Sequence, residues 1–435
     1  MTLKVLATGD IHMGRTPSVR DNPELAERAS AIHMWEAIVE KAIDMKVDAV
    51  LLSGDIVNEK NRLYEATGPL ERGINKLADQ DIHSYAVAGN HDWDVFPRIV
   101  KNLGSSHFHL LGEGGTWGEA YLEREGQRLL RLVGWSFPAR HVRQNPLEGF
   151  RLAESDVPTI GLLHADLVTK ESASDYAPVS LSELQHQNLA LWVLGHIHKP
   201  QHWNSHAGAQ VLYPGSPQAL SPSEPGIHGP WMITLEGSHS VTCQKLPMSR
   251  IRYEQREVDL TEVSTEDDLR KAIFDAQDAE WEGRLEGEAT ELLSLRLTFV
   301  GATPLCGEID ALTDNLDKLE RPVDDGVLAV IDKVANLTQP AIDLKELATQ
   351  RDPAGELART LLALESGEED ETVSKLLDAA TARLQKVHRA GAFSAIFDRE
   401  QIPDREAARE LLIQQSRQFI EALRAQKYVR EEAPA

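Results

Sequence analysis

Short apolar runs and longer amphipathic stretches alternate along the first 200 residues. LKVLAT (3–8), DAVLLS (48–53) and HSYAVA (83–88) have the length and composition of buried strands. Between them, 27–45 places Ile32, Trp35, Ile38, Val39 and Ala42 on one stripe at helical spacing, and 61–80 reads as a helix interrupted by Gly68-Pro69. TIGLLH (159–164) and LALWVLG (189–195) are two further strands, with a helical SLSELQHQN (180–188) before the second. Repeated strand–helix alternation predicts an α/β sandwich built on central sheets.

The pattern then changes. Residues 205–258 hold short β runs divided by Gly and Pro turns, the far side of a sandwich. Residues 259–335 combine a helical EDDLRKAIFDAQDAEWE with the strand LLSLRLTFVG, a small α+β module. From about 340 the chain reads as helix, broken by an acidic linker at 365–374. The expected boundaries are therefore 1–250, 251–338 and 339–435.

Charge complicates the picture. The 435 residues carry a formal net charge of −24. Residues 1–250 hold 22 basic against 29 acidic side chains, and the remainder 23 against 40. A nucleic-acid binder ordinarily shows a basic face, so the acidic second half is expected to present a solvated helical surface or to dock a protein. No run approaches the roughly 20 apolar residues of a membrane span, and the N-terminus leads straight into a strand without a signal peptide. Cys243 and Cys306 are far apart and form no CxxC pair, which argues against a disulfide framework and against thiolate zinc. The expectation is a cytoplasmic protein without membrane contact.

Candidate chemistry gathers at the strand ends. The first strand runs into GDIHMG, with Asp10 and His12; the second into SGDIVNE, with Asp55; the third into GNHDW, with Asn90, His91 and Asp92. IGLLHADL supplies His164, and VLGHIHKP supplies His196 and His198. Asp10/His12 and His196/His198 are two apart, so extended backbone would point each pair to one face. Sites in α/β sheets lie beyond the carboxyl ends of strands. Carboxylate, imidazole and amide oxygen without thiolate suit Mn²⁺, Fe²⁺ or Zn²⁺. Seven ligands exceed the need of one ion and suit two, with Asp55 as the bridge. Two ions about 3.5–4 Å apart can hold a hydroxide nucleophile and neutralise phosphate oxygens during in-line attack. The other histidines, His83, His107 and His109 among them, lack such a setting and read as ordinary.

Asp-x-His, Gly-Asp, Gly-Asn-His-Asp, His and Gly-His-x-His in this order resemble the signature of calcineurin-like metallophosphoesterases. The resemblance implies a four-layer α/β/β/α sandwich with a small α+β cap and a helical C-terminal tail. It implies one metal on Asp10, His12, Asp55 and His198, and another on Asp55, Asn90, His164 and His196. It implies that His91 contacts the phosphate and helps protonate the leaving oxygen, with Asp92 orienting it. YPGSPQALSPSE (213–224) and the segments after 250 resemble DNA repair exonucleases of the SbcD and YhaO type. That implies Mn²⁺-dependent hydrolysis of DNA phosphodiesters, a homodimer, and an SMC-like ABC ATPase partner of the SbcC type on the C-terminal helices. In one respect the chain departs from some relatives: Asn58 stands where they carry a histidine three residues after the bridging Asp. Asn cannot donate a proton as imidazolium does, which bears on the balance of exo- and endonuclease action; as a helix N-cap it would serve structure alone. A phosphoesterase acting on small molecules or nucleotides, and a non-catalytic scaffold, are the competing readings.

Overall fold

The computed structural model describes residues 2–19, 22–58, 66–169, 174–205, 208–237, 240–278, 281, 285, 287–314, 320–324, 326–341, 343–368, 370–388 and 403–431. The chain begins with β1 (Thr2–Thr8), α1 (Pro23–Arg28), α2 (Ala31–Asp44), β2 (Ala49–Leu52), α3 (Thr67–Ala78), β3 (His83–Ala86), α4 (Phe96–Leu103) and β4 (Phe108–Leu110). It continues with β5 (Trp117–Arg124), β6 (Gln127–Trp135), β7 (Thr159–His164), α5 (Leu181–Gln185), β8 (Leu191–Gly195), β9 (Gln201–Trp203), β10 (Gln210–Tyr213), β11 (Trp231–Glu236) and β12 (Ser240–Lys245). The helix expected over 61–80 is α3; positions 61–65 lie outside the described residues.

Two six-stranded sheets result, ordered β12-β11-β1-β2-β3-β4 and β5-β6-β7-β8-β10-β9. β1 to β4 run parallel, as do β6, β7, β8 and β10. The strand ends that carry the expected ligands therefore point one way in each sheet. Side-chain alternation divides the strands between cores. Val5, Ala7, Leu51 and Tyr85 face Leu132, Ile160, Leu162, Leu191 and Val193 between the sheets. Leu6, Val50, Leu52 and Ala86 face the other way, onto Trp35, Ile38, Leu70, Ile74 and Phe96 of the helices. The outer face of the second sheet buries Leu163, Trp192, Leu194 and Tyr213 against Phe150 and Leu184. This is the four-layer α/β/β/α arrangement. Its fourth layer is thin, because α5 has only five residues and loops complete the cover.

The remaining elements are β13 (Ile251–Asp259), α6 (Glu266–Asp278), β14 (Leu292–Val300), β15 (Ala302–Thr303), α7 (Ile309–Thr313), β16 (Glu320–Asp324), β17 (Val327–Asn336), β18 (Gln339–Pro340), α8 (Leu344–Leu347), α9 (Pro353–Ser366), α10 (Glu371–His388) and α11 (Arg405–Glu431). The chain forms two compact units, one of Met1–Val258, Ile273–Thr298 and Thr313–Ala335, the other of Asp259–Ala272, Phe299–Leu312 and Asn336–Ala435. The segment 251–338, expected as one cap, is shared between them. The reason is packing: Ile251, Tyr253 and Leu292 of a third sheet, β13-β14-β17-β16, are buried with Leu25, Ala29 and Ala219 of the first unit. The second unit is mostly helical. Asp352 caps α9 ahead of Pro353, and Gly367 ends it in the left-handed region at φ 76°. The acidic linker is thus a short turn between α9 and α10, with Glu369 outside the described residues. Leu361 and Ile420 share one small core, Leu364, Val373 and Leu377 another.

Candidate metal centre

The ligand-bearing loops are stitched together before any ligand is considered. The Asp10, His12 and Met13 amides donate to the carbonyls of Gly54, Asp55 and Ile56, so the loop after β1 keeps pairing with the loop after β2. The Ser53 hydroxyl donates to the Leu194 carbonyl at 3.2 Å, joining the first sheet to the end of β8. Two glycines are dictated by crowding. A Cβ on Gly195 would lie 2.0 Å from the Ser53 carbonyl oxygen, and one on Gly89 would lie 2.2 Å from Asp55 Oδ1.

The extended conformation expected for Asp10 and His12 is not what the chain adopts. β1 ends at Thr8, and Asp10, His12, Asp55 and His196 have φ of 48°, 51°, 50° and 100°. Among the described residues, eight non-glycine positions have positive φ, and four of them are expected ligands. Such backbone costs about 1–3 kcal/mol per residue and collects at functional sites.

The side chains converge. Asp55 Oδ1 accepts the His91 amide at 2.8 Å, while Oδ2 lies 3.4 Å from His164 Nε2, 3.8 Å from His12 Nε2 and 4.0 Å from His91 Nε2. Asp10 accepts the His196 amide at 3.0 Å. His12 Nε2 lies 3.0 Å from His198 Nε2, and His164 Nε2 lies 3.0 Å from Asn90 Oδ1. Ligand atoms of Asp10, His12 and His198 lie within 4.8 Å of one another, and so do those of Asp10, Asp55 and His164. The His196 ring stands beside them, its centroid 5.5 Å from that of His164 and 4.7 Å from that of Tyr176. Asp10, His12, Asp55, Asn90 and His164 are buried, whereas the His91 side chain is 36% exposed at the mouth of the site.

These atoms fit a cation by their donor chemistry. His164 Nδ1 lies 3.0 Å from the Ser53 carbonyl and donates to it. In a neutral ring Nε2 is then a lone pair, aimed at two oxygens that also only accept. At His198, Nδ1 is 2.8 Å from Glu224 Oε1, which in a neutral ring leaves Nε2 a lone pair available to a cation. Buried acceptors facing acceptors are costly unless a positive charge lies between them.

Residues 3–200 match the family model described as calcineurin-like phosphoesterase. The Bacillus subtilis protein named "Uncharacterized metallophosphoesterase YhaO" is 28% identical over 248 residues, 57% of this chain and 59% of its own length. The "DNA double-strand break repair protein Mre11" of Methanosarcina acetivorans is 28% identical over 145 residues, 31% of this chain and 23% of its own. The alignments thus span little more than half of the first relative and under a quarter of the second. A dimetal phosphatase from Danio rerio superposes on 56% of the chain and 95% of its own, with 12% identity and a TM-score of 0.35. That likeness is too slight to bear on function.

Protonation at this site follows from burial and neighbours. Burial pushes the His12 and His196 imidazoles down to about 3, so both are neutral lone-pair donors. Burial alone would lower His164 too, but the Asp55 carboxylate lifts it to about 9. The proton it then carries occupies the place a divalent ion would take. Burial raises Asp10 to about 6, and the nearby Asp55 charge adds to this. Burial opposes ionisation of Glu224, yet the hydrogen bond and charge of His198 hold it near 2.

Two further carboxylates hold the loops and rings of the site. Asp92, expected to orient His91, is buried and gives its carboxylate to the backbone, accepting the Gly89 amide at 2.8 Å, Ile56 at 2.7 Å and Val57 at 3.2 Å. It clamps the loop after β3 to the loop after β2. Glu224 was not singled out, although it closes the quoted YPGSPQALSPSE segment. Besides His198 it accepts the Ser216 hydroxyl at 3.0 Å and the Leu220 amide at 2.9 Å. A signal lay in that segment: a lone acid after a Ser/Pro-rich turn that follows the histidine pair.

Proposed function

We propose that this chain is a dinuclear metal-dependent phosphodiesterase that hydrolyses DNA backbone phosphodiesters. The observation that carries the reading is the convergence of Asp10, His12, Asp55, Asn90, His164 and His198 lone pairs in one buried site at the strand ends. Asp10, His12, Asp55 and His198 would hold one ion, and Asp55, Asn90, His164 and His196 the other. Divalent ions, Mn²⁺ first among them, would supply Lewis-acid polarisation of the phosphate and a nucleophile at neutral pH.

The protein's own groups do the rest. Asp55 presents Oδ2 to both halves of the ligand set. Its Oδ1 fixes the His91 backbone, which sets that imidazole at the exposed mouth, where a leaving oxygen can take its proton. Glu224 holds His198 in the tautomer that leaves Nε2 free of a proton. Asp92 keeps the two loops in register.

DNA as substrate rests on the Mre11-named relatives and on the length of chain beyond residue 250; an SMC-like ABC ATPase on the C-terminal helices, and a homodimer, belong to the same proposal. The test is hydrolysis by the full chain with Mn²⁺ of an aryl phosphodiester and of end-labelled single- and double-stranded DNA, beside Asp55→Asn. Release of nucleotides that is lost in the variant supports the reading. Aryl diester hydrolysis with intact DNA, also in the presence of the ATPase, would replace it with the small-molecule alternative.

A further inference from the structure

Three histidines gather at the opposite end of the first sheet from the phosphoesterase ligands. His83 opens β3, His107 precedes β4, His109 lies within it, and Asp81 sits in the turn after α3. The parallel pairing sets Ser84 beside Phe108 and Tyr85 beside His109, and the Ser84 amide donates to the His107 carbonyl at 2.8 Å. His83 and His107 are twenty-four positions apart in the chain, and only this pairing brings them together. Residues two apart share a face, so the rings stack. Centroids of His83 and His107 are 4.5 Å apart, those of His83 and His109 5.4 Å with planes 11° from parallel, and those of Tyr85 and His109 4.8 Å.

The polar atoms of the cluster are arranged as ligands. His107 Nε2 lies 3.2 Å from Asp81 Oδ1, while its Nδ1 lies 3.2 Å from the Ser106 hydroxyl, which orients the ring. His83 Nδ1 lies 3.1 Å from His109 Nε2, so one imidazole fixes the tautomer of the other. One ligand atom from each of Asp81, His83 and His107 lies within 4.8 Å of the other two. Asp81 is 89% exposed and His107 28%, which leaves a path from solvent. Burial, reinforced by the neighbouring imidazoles, holds His83 and His109 below the usual histidine range. Asp81 adopts the left-handed region at φ 57°, as the expected phosphoesterase ligands Asp10, His12 and Asp55 do.

We infer that Asp81, His83 and His107, supported by His109, form a separate site for one borderline divalent ion of the zinc type. Imidazole nitrogens with one carboxylate are the donor set such an ion selects over Mg²⁺ or Ca²⁺. Phosphoester hydrolysis has no use for the cluster: six residues of strand and loop lie between His83 and Asn90, roughly 20 Å at about 3.3 Å per residue. Its use is structural. β4 is an edge strand of three residues, and an ion here would tie its start to the α3–β3 turn.

The test is zinc stoichiometry of the full chain, stripped with chelator, dialysed against low micromolar free Zn²⁺ and measured by mass spectrometry of the metal. His83→Ala/His107→Ala is expected to bind one zinc fewer than the wild type, to lose part of the zinc-dependent rise in Tm, and to keep Mn²⁺-supported aryl diester hydrolysis. Asp81→Asn, a change at an exposed turn, is expected to weaken the same equivalent about 10-fold or more without unfolding. Asp55→Asn should leave this equivalent in place, so failure of the phosphoesterase reading and failure of this site are told apart. Equal zinc content in wild type, Asp81→Asn and the folded double variant would overturn the inference. So would a zinc equivalent that appears only at millimolar concentration.

Discussion

Asp55 faces both halves of the ligand set through a single oxygen, with three imidazole Nε2 atoms 3.4–4.0 Å from Oδ2. Asp55→Ala is expected to cost both ions, and metal content measured after gel filtration reads this directly. His91→Ala should leave metal content intact and cut turnover about 10²–10⁴-fold, the span of a general acid. The loss should be smaller with a nitrophenyl diester, whose leaving group needs no proton; equal losses on both substrates would remove His91 from that role. Glu224→Gln removes the charge that holds His198, and metal affinity should fall about 10–100-fold with the fold retained. Unchanged affinity by calorimetry would make Glu224 a turn residue only. The pH dependence has a definite sign. Without an ion, His164 titrates near 9 and Asp10 near 6, and both must be deprotonated to ligate. Affinity should climb with pH from about 6 and level off above about 9, with proton release at pH 7 visible in buffers of different ionisation enthalpy. A flat profile would contradict the ligand assignment.

Among the elements, what could be read from the sequence was what is buried on both faces. TIGLLH is β7 residue for residue, and LKVLAT falls within β1, because strands between two cores are apolar throughout. The β5–β6 hairpin and β4 went unread. WGEAYLER carries charges at exposed positions and only Leu122 is buried, so its pattern has no clean period. The order of motifs along the chain singled out the side chains that converge at the strand ends, but a two-residue spacing carries no information on φ, and Asp10 and His12 proved left-handed rather than extended. The histidine cluster was invisible for another reason: His83 and His107 meet only through strand pairing. The glycines before the ligands belong to this scale as well, since they let β2 and β8 end within contact of each other. Gly195→Ala forces a methyl toward the Ser53 carbonyl and should destabilise by about 1–3 kcal/mol through overpacking, with loss of bound metal. Gly307→Ala, where the added methyl meets nothing within 4 Å, should stay within about 0.5 kcal/mol. Denaturant midpoints of the two variants settle the comparison, and equal midpoints would mean that the strand ends are not crowded.

Over the whole molecule the charge distribution decides how a polyanionic substrate is approached. The first 250 residues, which hold every expected phosphoesterase ligand, carry 22 basic and 29 acidic side chains; the rest carries 23 and 40. Two divalent ions would offset up to four negative charges in the first part and none in the second. The proposed DNA substrate would therefore meet less repulsion at the expected metal site than along the C-terminal helices. Those helices leave Leu376, Val387, Leu411 and Phe419 exposed, with Phe419 61% accessible. Apolar side chains on an acidic surface suit a protein partner better than a nucleic acid. If an ABC ATPase docks there, Leu411→Glu/Phe419→Glu should abolish its co-purification while the lone chain still hydrolyses an aryl diester at the wild-type rate. DNA hydrolysis by the mixture should fall to the level of the lone chain. An ATPase that still co-purifies with this variant would mean that the helices are not its dock, and the acidity of the second half would need another explanation.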